Sequence, residues 1–252
     1  MARTTTDASI IFRDDRAFPE CLRHIPDPPK LLYCRGNVEL LTRPAIAVVG
    51  TRKMTHYGAQ VTDAVAQELV RAGLVVVSGL AFGVDARAHA STLDARGATI
   101  AVLGSGIDTI TPTTNERLGQ RIIESGGLIV SEYPDTTPAD KWTFPKRNRI
   151  ISGLSLGVVV IEADRESGSL ITAQHALEQG RDVFAVPGSI FAASSHGTNY
   201  LIAQGARPVL AASDITQEYL ERGLIHRPGH LQLPTFDDPV AAAIFAILTT
   251  NG

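Results

Sequence analysis

The sequence is short of what a covalent or metal-stapled scaffold needs. It holds two cysteines, Cys21 and Cys34, with no CxxC spacing and no Cys/His cluster around them. That count argues against a disulfide framework and a structural zinc site, and it suits a reducing cytosol. Apolar runs are short, and none reaches the roughly 18–20 residues that a transmembrane helix needs. Residues 1–10 are polar and lack the apolar stretch of a secretory signal. A soluble, cytoplasmic protein with no membrane partner is expected. Charge is scarce as well: 19% of residues carry it, and the formal net charge is −3. Bulk charge therefore neither supports nor excludes a nucleic-acid site, and any such site has to be a local basic patch.

Signatures of catalysis are equally thin. There is no G-x-x-x-x-G-K-[ST], which excludes a P-loop ATPase on motif, and no G-x-S-x-G nucleophile elbow. Gly104-Ser105-Gly106 offers G-x-G, but Thr109 stands where a dinucleotide fingerprint needs its third glycine. His56, His175 and His196 are scattered and give no metal-ligand spacing. Asp85 and His89 share one helical face. They read either as an acid/base pair or, more commonly for such residues, as a capping aspartate and a packed histidine. Glu132 and Glu162 follow successive strands. They read as a carboxylate pair for hydrolysis or as counter-ions to Arg52, Arg147 or Arg149. No catalytic residue, metal or cofactor is expected.

What the chain has is rhythm. From residue 45, apolar β-branched runs (45–49, 74–77, 99–103, 128–130, 158–161 and 183–186) alternate with helical segments (58–71, 84–95, 114–124, 169–179 and 198–204). The runs are apolar throughout, as in parallel strands buried on both faces. Gly73, Gly97, Gly180 and Gly205 follow helices, where left-handed caps are expected. This pattern predicts an α/β fold, a doubly wound, mostly parallel sheet of extended Rossmann-like type. Residues 1–43, broken by Pro19, Pro26, Pro28 and Pro29, predict a small extended cap with a strand and turn at 31–37. The core is expected over 44–222, with one long insertion at 131–156, an edge strand at 208–210 and a helix at 213–221. A linker and a helical remnant are expected over 223–252, with an apolar helix at 238–248 that has no partner.

Ligands of an open parallel sheet collect at the carboxyl ends of its strands. Here those ends carry Gly50-Thr51-Arg52, Ser78-Gly79 with Gly83, Gly104-Ser105-Gly106, and Ser167-Gly168-Ser169 opening a helix. Glycine lets backbone approach a phosphate closely, and a helix N-terminus offers free N–H groups. One such glycine alone is a turn. The set predicts a phosphate-accepting cleft. The insertion adds Lys141, Lys146, Arg147 and Arg149, interleaved with Trp142 and Phe144. Cations meet phosphates and rings stack on bases, which suits single-stranded nucleic acid. Two alternatives stand beside this reading: Trp142 and Phe144 as core plugs, and Arg52 as a structural arginine paired with Glu132 or Glu162.

These blocks resemble the DprA/Smf family. Ser78-Gly79-Leu80-Ala81-Phe82-Gly83-Val84-Asp85 with Ala88-His89 is similar to its SGLAxGID…AH block, and residues 144–155 to its FPxRNRIIxGLS signature. Glu162-Ala163 with residues 167–173 resembles EAxxxSGSLITA, and the likeness runs over about residues 27–211. The resemblance implies a non-enzymatic homodimer that binds single-stranded DNA, protects it during natural transformation and helps to load the RecA recombinase. It places Arg52, Lys146, Arg147, Asn148 and Arg149 at the strand, with Phe144 as a stacking platform. The family's lysine-bearing turn after the third core strand is replaced by Thr111-Pro112-Thr113-Thr114-Asn115, so one basic contact is expected to be missing. The residual 223–252 segment resembles the start of a truncated winged-helix domain. The runner-up is a nucleotide-binding or phosphoribohydrolase-type enzyme of the related lysine-decarboxylase-like Rossmann group, whose PGGxGTxxE motif is absent.

Overall fold

The computed structural model describes residues 8–226. The expected linker and the helix at 238–248 lie outside the described residues. One nine-stranded sheet organises the chain: β1 (Ser9–Phe12), β2 (Leu31–Gly36), β3 (Ala45–Val49), β4 (Val75–Ser78), β5 (Thr99–Gly106), β6 (Leu128–Tyr133), β7 (Gly157–Val160), β8 (Asp182–Ala185) and β9 (Arg207–Pro208). Their spatial order is β1-β2-β6-β5-β4-β3-β7-β8-β9. Pairing is parallel from β6 through β9 and antiparallel where β2 joins β6 and β1 joins β2. The lead-in therefore is not a cap beside the sheet. It extends the sheet by two strands, and its Leu22, Leu32 and Cys34 enter the main core.

Successive residues of each parallel strand feed opposite faces. Ala45, Ala47 and Val49 face one core cluster and Ile46 and Val48 the other. Both faces are covered, so the runs read apolar throughout instead of alternating. One face carries α2 (His56–Arg71), α3 (Val84–Asp94) and α8 (Ser213–Glu221), whose Val65, Val84 and Ile215 share a cluster with Ile46. The other carries α5 (Thr143–Gly153) and α6 (Gly168–Glu178), whose Ile150 and Ala173 pack with Ala47. The remaining helices are α1 (Glu20–Arg23), α4 (Glu116–Glu124) and α7 (His196–Ala203).

Two local expectations change. The long insertion is not a loop: its second half is α5. It has no side-chain cap at Trp142, and Pro145 sits in its first turn, where a missing N–H costs nothing. Its buried side includes Arg147, Asn148 and Arg149, so apolar periodicity could not reveal it. Positive φ follows helices at Gly73, Gly180 and Gly205 as expected, but not at Gly97. There the helix stops at Asp94, one residue earlier than read, and the left-handed position falls on Arg96 (φ 59°).

Candidate functional site

The strand order reverses at β3. The chain runs outward from it through β4, β5 and β6, then returns to β3's other side as β7. Loops leaving β3 and β7 must diverge there, which opens a crevice at their carboxyl ends. A cleft of about 810 Å³ lies at that place. The turn after β3, the start of α5 and the start of α6 line it. Of the expected site residues it brings together Gly50, Thr51 and Arg52, then Phe144, Arg147 and Asn148, then Ser167, Gly168 and Ser169.

Arg52 is exposed and makes no ion pair among the described residues. Its guanidinium lies 5.5 Å from the centre of the Phe144 ring. The structural-arginine alternative fails because both candidate partners are engaged elsewhere. Buried Glu162 accepts from the Thr55 amide at 2.8 Å and the Thr55 hydroxyl at 2.6 Å. Glu132 takes Arg149 Nη2 at 2.6 Å, with Lys146 Nζ at 3.9 Å. The carboxylate-pair reading fails too. Glu132 and Glu162 end β6 and β7, and β5, β4 and β3 lie between those strands. Four strand spacings put the two ends about 19 Å apart.

Phe144 is half-buried because Gly104 makes room for it. A Cβ on Gly104 would stand 2.8 Å from the ring's Cδ1. The core-plug alternative is wrong for Trp142, which is 71% exposed with Lys141 Nζ 5.2 Å from its ring centre. At the opposite wall, Ser167 caps α6 by accepting from the Ser169 amide, and its hydroxyl lies 2.8 Å from that of Ser169. Gly168 leaves this helix start open, since nothing lies within 4 Å of where its Cβ would be.

Arg147 lines the cleft and Arg149 does not, and neither is a free cation. Arg147 is 4% exposed and reaches under the cleft floor. It donates from Nη1 to the Gly79 carbonyl at 2.8 Å and to the Val102 carbonyl. Burial holds its pKa down to about 10, opposed by nearby Asp85. Asp85 accepts from the Gly79 amide at 3.1 Å instead of capping its helix. Burial raises its carboxyl pKa, and Arg147 works against that rise. His89 is fully buried, with Nδ1 2.7 Å from the Thr99 hydroxyl. Burial pushes it down to about 3, so it packs as a neutral ring. Arg149 faces away from the cleft, clamped between Asp27 Oδ2 at 2.8 Å and Glu132. Lys146 also turns toward Glu132.

The remaining glycine-loop residues shape the cleft without lining it. Ser78 Oγ donates to the Val48 carbonyl at 2.7 Å and stitches β4 to β3. Ser105 Oγ donates to the Thr109 carbonyl, and the Gly106 amide to that of Thr137 at 2.8 Å. Gly83 has φ +73°, and a Cβ there would overlap the Thr51 carbonyl and come within 2.8 Å of Arg52's. Gly83→Ala is expected to cost about 2 kcal/mol or more and to displace the Arg52 turn. Urea unfolding with strand binding checks this, and wild-type values in both would contradict it. Sequence reading missed Lys53, Asp140, Asp164, Glu166 and Ile171, which also line the cleft. Lys53 follows the glycine turn directly and was findable. Asp140, Asp164 and Glu166 sit at loop positions, and Ile171 lies in α6 within the 167–173 block.

Comparison with known proteins decides the family. The family model for DNA recombination-mediator protein A matches residues 9–220. The chain belongs to this family. DNA processing protein DprA of Bacillus subtilis is 46% identical over 210 residues, which cover 83% of this chain and 70% of that protein. Protein Smf of Escherichia coli is 44% identical over 85% of this chain, but that match spans 57% of the relative. The DprA structure from Streptococcus pneumoniae superposes with a TM-score of 0.80 at 44% identity, covering 84% of this chain and 75% of that one. DNA processing protein A from Helicobacter pylori, solved for its single-stranded DNA binding mode, gives 0.77 at 35% identity over 87% and 98%. Among the described residues, no helix is long and apolar enough to cross a membrane.

Proposed function

We propose that the cleft at the β3/β7 reversal holds single-stranded DNA, and that the chain acts as a DNA-processing protein without chemistry of its own. The observation that carries this reading is an unpaired, exposed Arg52 laid on the Phe144 ring. A cation and an aromatic face at one point offer a phosphate partner and a base platform together. The open start of α6 supplies a second anion seat across the cleft. The binding mode studied in the Helicobacter pylori relative supports the same class of ligand. Protection of incoming strands in natural transformation, loading of RecA, homodimer formation and a cytoplasmic place belong to this proposal through the family. The phosphoribohydrolase alternative needs Glu132 or Glu162 at the cleft, and neither lines it: Glu162 is held by Thr55 and Glu132 by Arg149.

Arg52, Lys53 and Lys141 line the cleft and make no ion pair among the described residues. Single-strand binding releases about 0.7 counterion per neutralised phosphate, so the log–log salt slope is expected near −2. This is gentler than the steep dependence that the whole basic run of the sequence implies. Fluorescence anisotropy with mixed-sequence oligonucleotides from about 50 to 200 mM salt measures it. A slope of −4 or steeper would mean that the buried arginines, or cations elsewhere, contact the strand.

A further inference from the structure

We propose that Asp140, Asp164 and Glu166 make the cleft selective for single strands by repelling the second backbone of a duplex. The proposal rests on the reading of the cleft as a single-strand DNA site and names what sets its preference. All three side chains belong to exposed residues that line the cleft. They stand on two walls. Asp140 precedes α5 and accepts from the Trp142 amide at 3.1 Å. Asp164 precedes α6 and accepts from the Glu166 amide at 3.0 Å. None of the three makes an ion pair among the described residues. Arg165, between two of them in sequence, is not part of the lining.

The accessible charge of the cleft is therefore balanced. Arg52, Lys53 and Lys141 share the cleft lining with Asp140, Asp164 and Glu166, while Arg147 and Asp85 are buried. A site that binds nucleic acid by bulk attraction would carry no such carboxylates, because each opposes every phosphate that approaches. Their effect differs between the two forms of DNA. A single strand carries one phosphate per about 3.4 Å and offers unstacked bases to Phe144. Ring contact then offsets the repulsion. A duplex carries a charge per about 1.7 Å and keeps its bases stacked inside. It meets the same carboxylates with twice the charge density and gains no ring contact. Repulsive groups that cost the wrong partner more than the right one set specificity without adding affinity.

The test is the triple variant Asp140→Asn, Asp164→Asn, Glu166→Gln, compared with the wild-type chain. Single-strand and duplex affinities of one sequence are measured in parallel at about 100 mM salt. The expected result is a gain of about tenfold or more for duplex and under about threefold for single strand. Equal gains on both would show generic electrostatics, and no gain on duplex would show exclusion by shape; either overturns the proposal. Circular dichroism of the variant keeps misfolding from posing as a null result, and the single variant Glu166→Gln, expected to shift the ratio the same way by a smaller factor, repeats the test if the triple fails to fold. Failure of the underlying reading looks different: the wild-type chain would then bind no single strand at all.

Discussion

Arg147→Met is expected to lower the unfolding free energy by about 3–5 kcal/mol, the largest stability effect in the cleft region. The change keeps an unbranched stem and removes the guanidinium with its charge. It strips the donor from the buried Gly79 and Val102 carbonyls, and it leaves Asp85 without a nearby counter-charge. Each lost partner of a buried polar group costs about 1–3 kcal/mol. The pH dependence has a definite sign. Burial raises the Asp85 carboxyl in the folded state, and Arg147 is the largest influence against it, ahead of hydrogen bonds from the Ala81 and Gly79 amides and Ser78, so the variant carries a larger rise. A folded pKa above the unfolded one penalises folding as pH rises, and the penalty vanishes below the ordinary carboxylate range. The deficit against wild type should therefore shrink toward pH 4 and grow toward neutrality. Comparison at equal pH largely cancels the separate destabilisation that buried His89 brings below about 6.5, where the unfolded ring takes up a proton and the folded one does not. Urea midpoints across this range check both claims. A deficit under 1 kcal/mol, or one that does not change with pH, would mean that Arg147 and Asp85 do not depend on each other.

The second large effect falls on binding. Phe144→Ala is expected to weaken single-strand affinity by about 1–3 kcal/mol, the worth of one base stacked on a ring. Arg52→Ala removes a phosphate partner and the cation over that ring. It should weaken binding for all sequences alike and reduce the salt slope by about 1. Arg52→Lys keeps the charge but not the planar guanidinium over the ring, and should fall between. Arg149→Ala, which the sequence alone puts in the same class, is expected to act otherwise. Its guanidinium holds Asp27 of the lead-in against Glu132 of β6, so its loss should show in stability before it shows in binding. Anisotropy titrations of the four variants sort these outcomes. If Arg149→Ala alone abolished binding while remaining as stable as wild type, the placement of the strand would be wrong.

Much of the fold was legible because both sheet faces are buried. Ala45–Val49 can be apolar throughout only if each side packs, and the strand was read to the residue. The reversal at β3 was not legible, since nothing in a strand's sequence says on which side the next one pairs. That missing step is why Glu132 and Glu162 looked like neighbours. In the lead-in the strand at 31–37 was legible and is β2, but β1 and the pairing of β2 with the edge of β6 were not, because prolines interrupt the segment. In the site, Arg52 and Phe144 were visible as residue types in a telling order. Burial of Arg147 and Arg149 was not, because a basic run looks the same whether it meets solvent or carbonyls and carboxylates. The acids of the cleft are not legible for a related reason: a loop aspartate or glutamate carries no pattern that says which cleft it lines.

The most direct test of the whole account is the single-strand affinity of the double variant Arg52→Ala, Phe144→Ala, with folding verified by its urea midpoint. Both residues are placed on one point of the cleft, and both are accessible, so their joint loss should spare the fold. The account predicts a loss of about a hundredfold or more across unrelated sequences, with a near-normal midpoint. An affinity within about twofold of wild type would contradict it, and would place the strand elsewhere on the molecule.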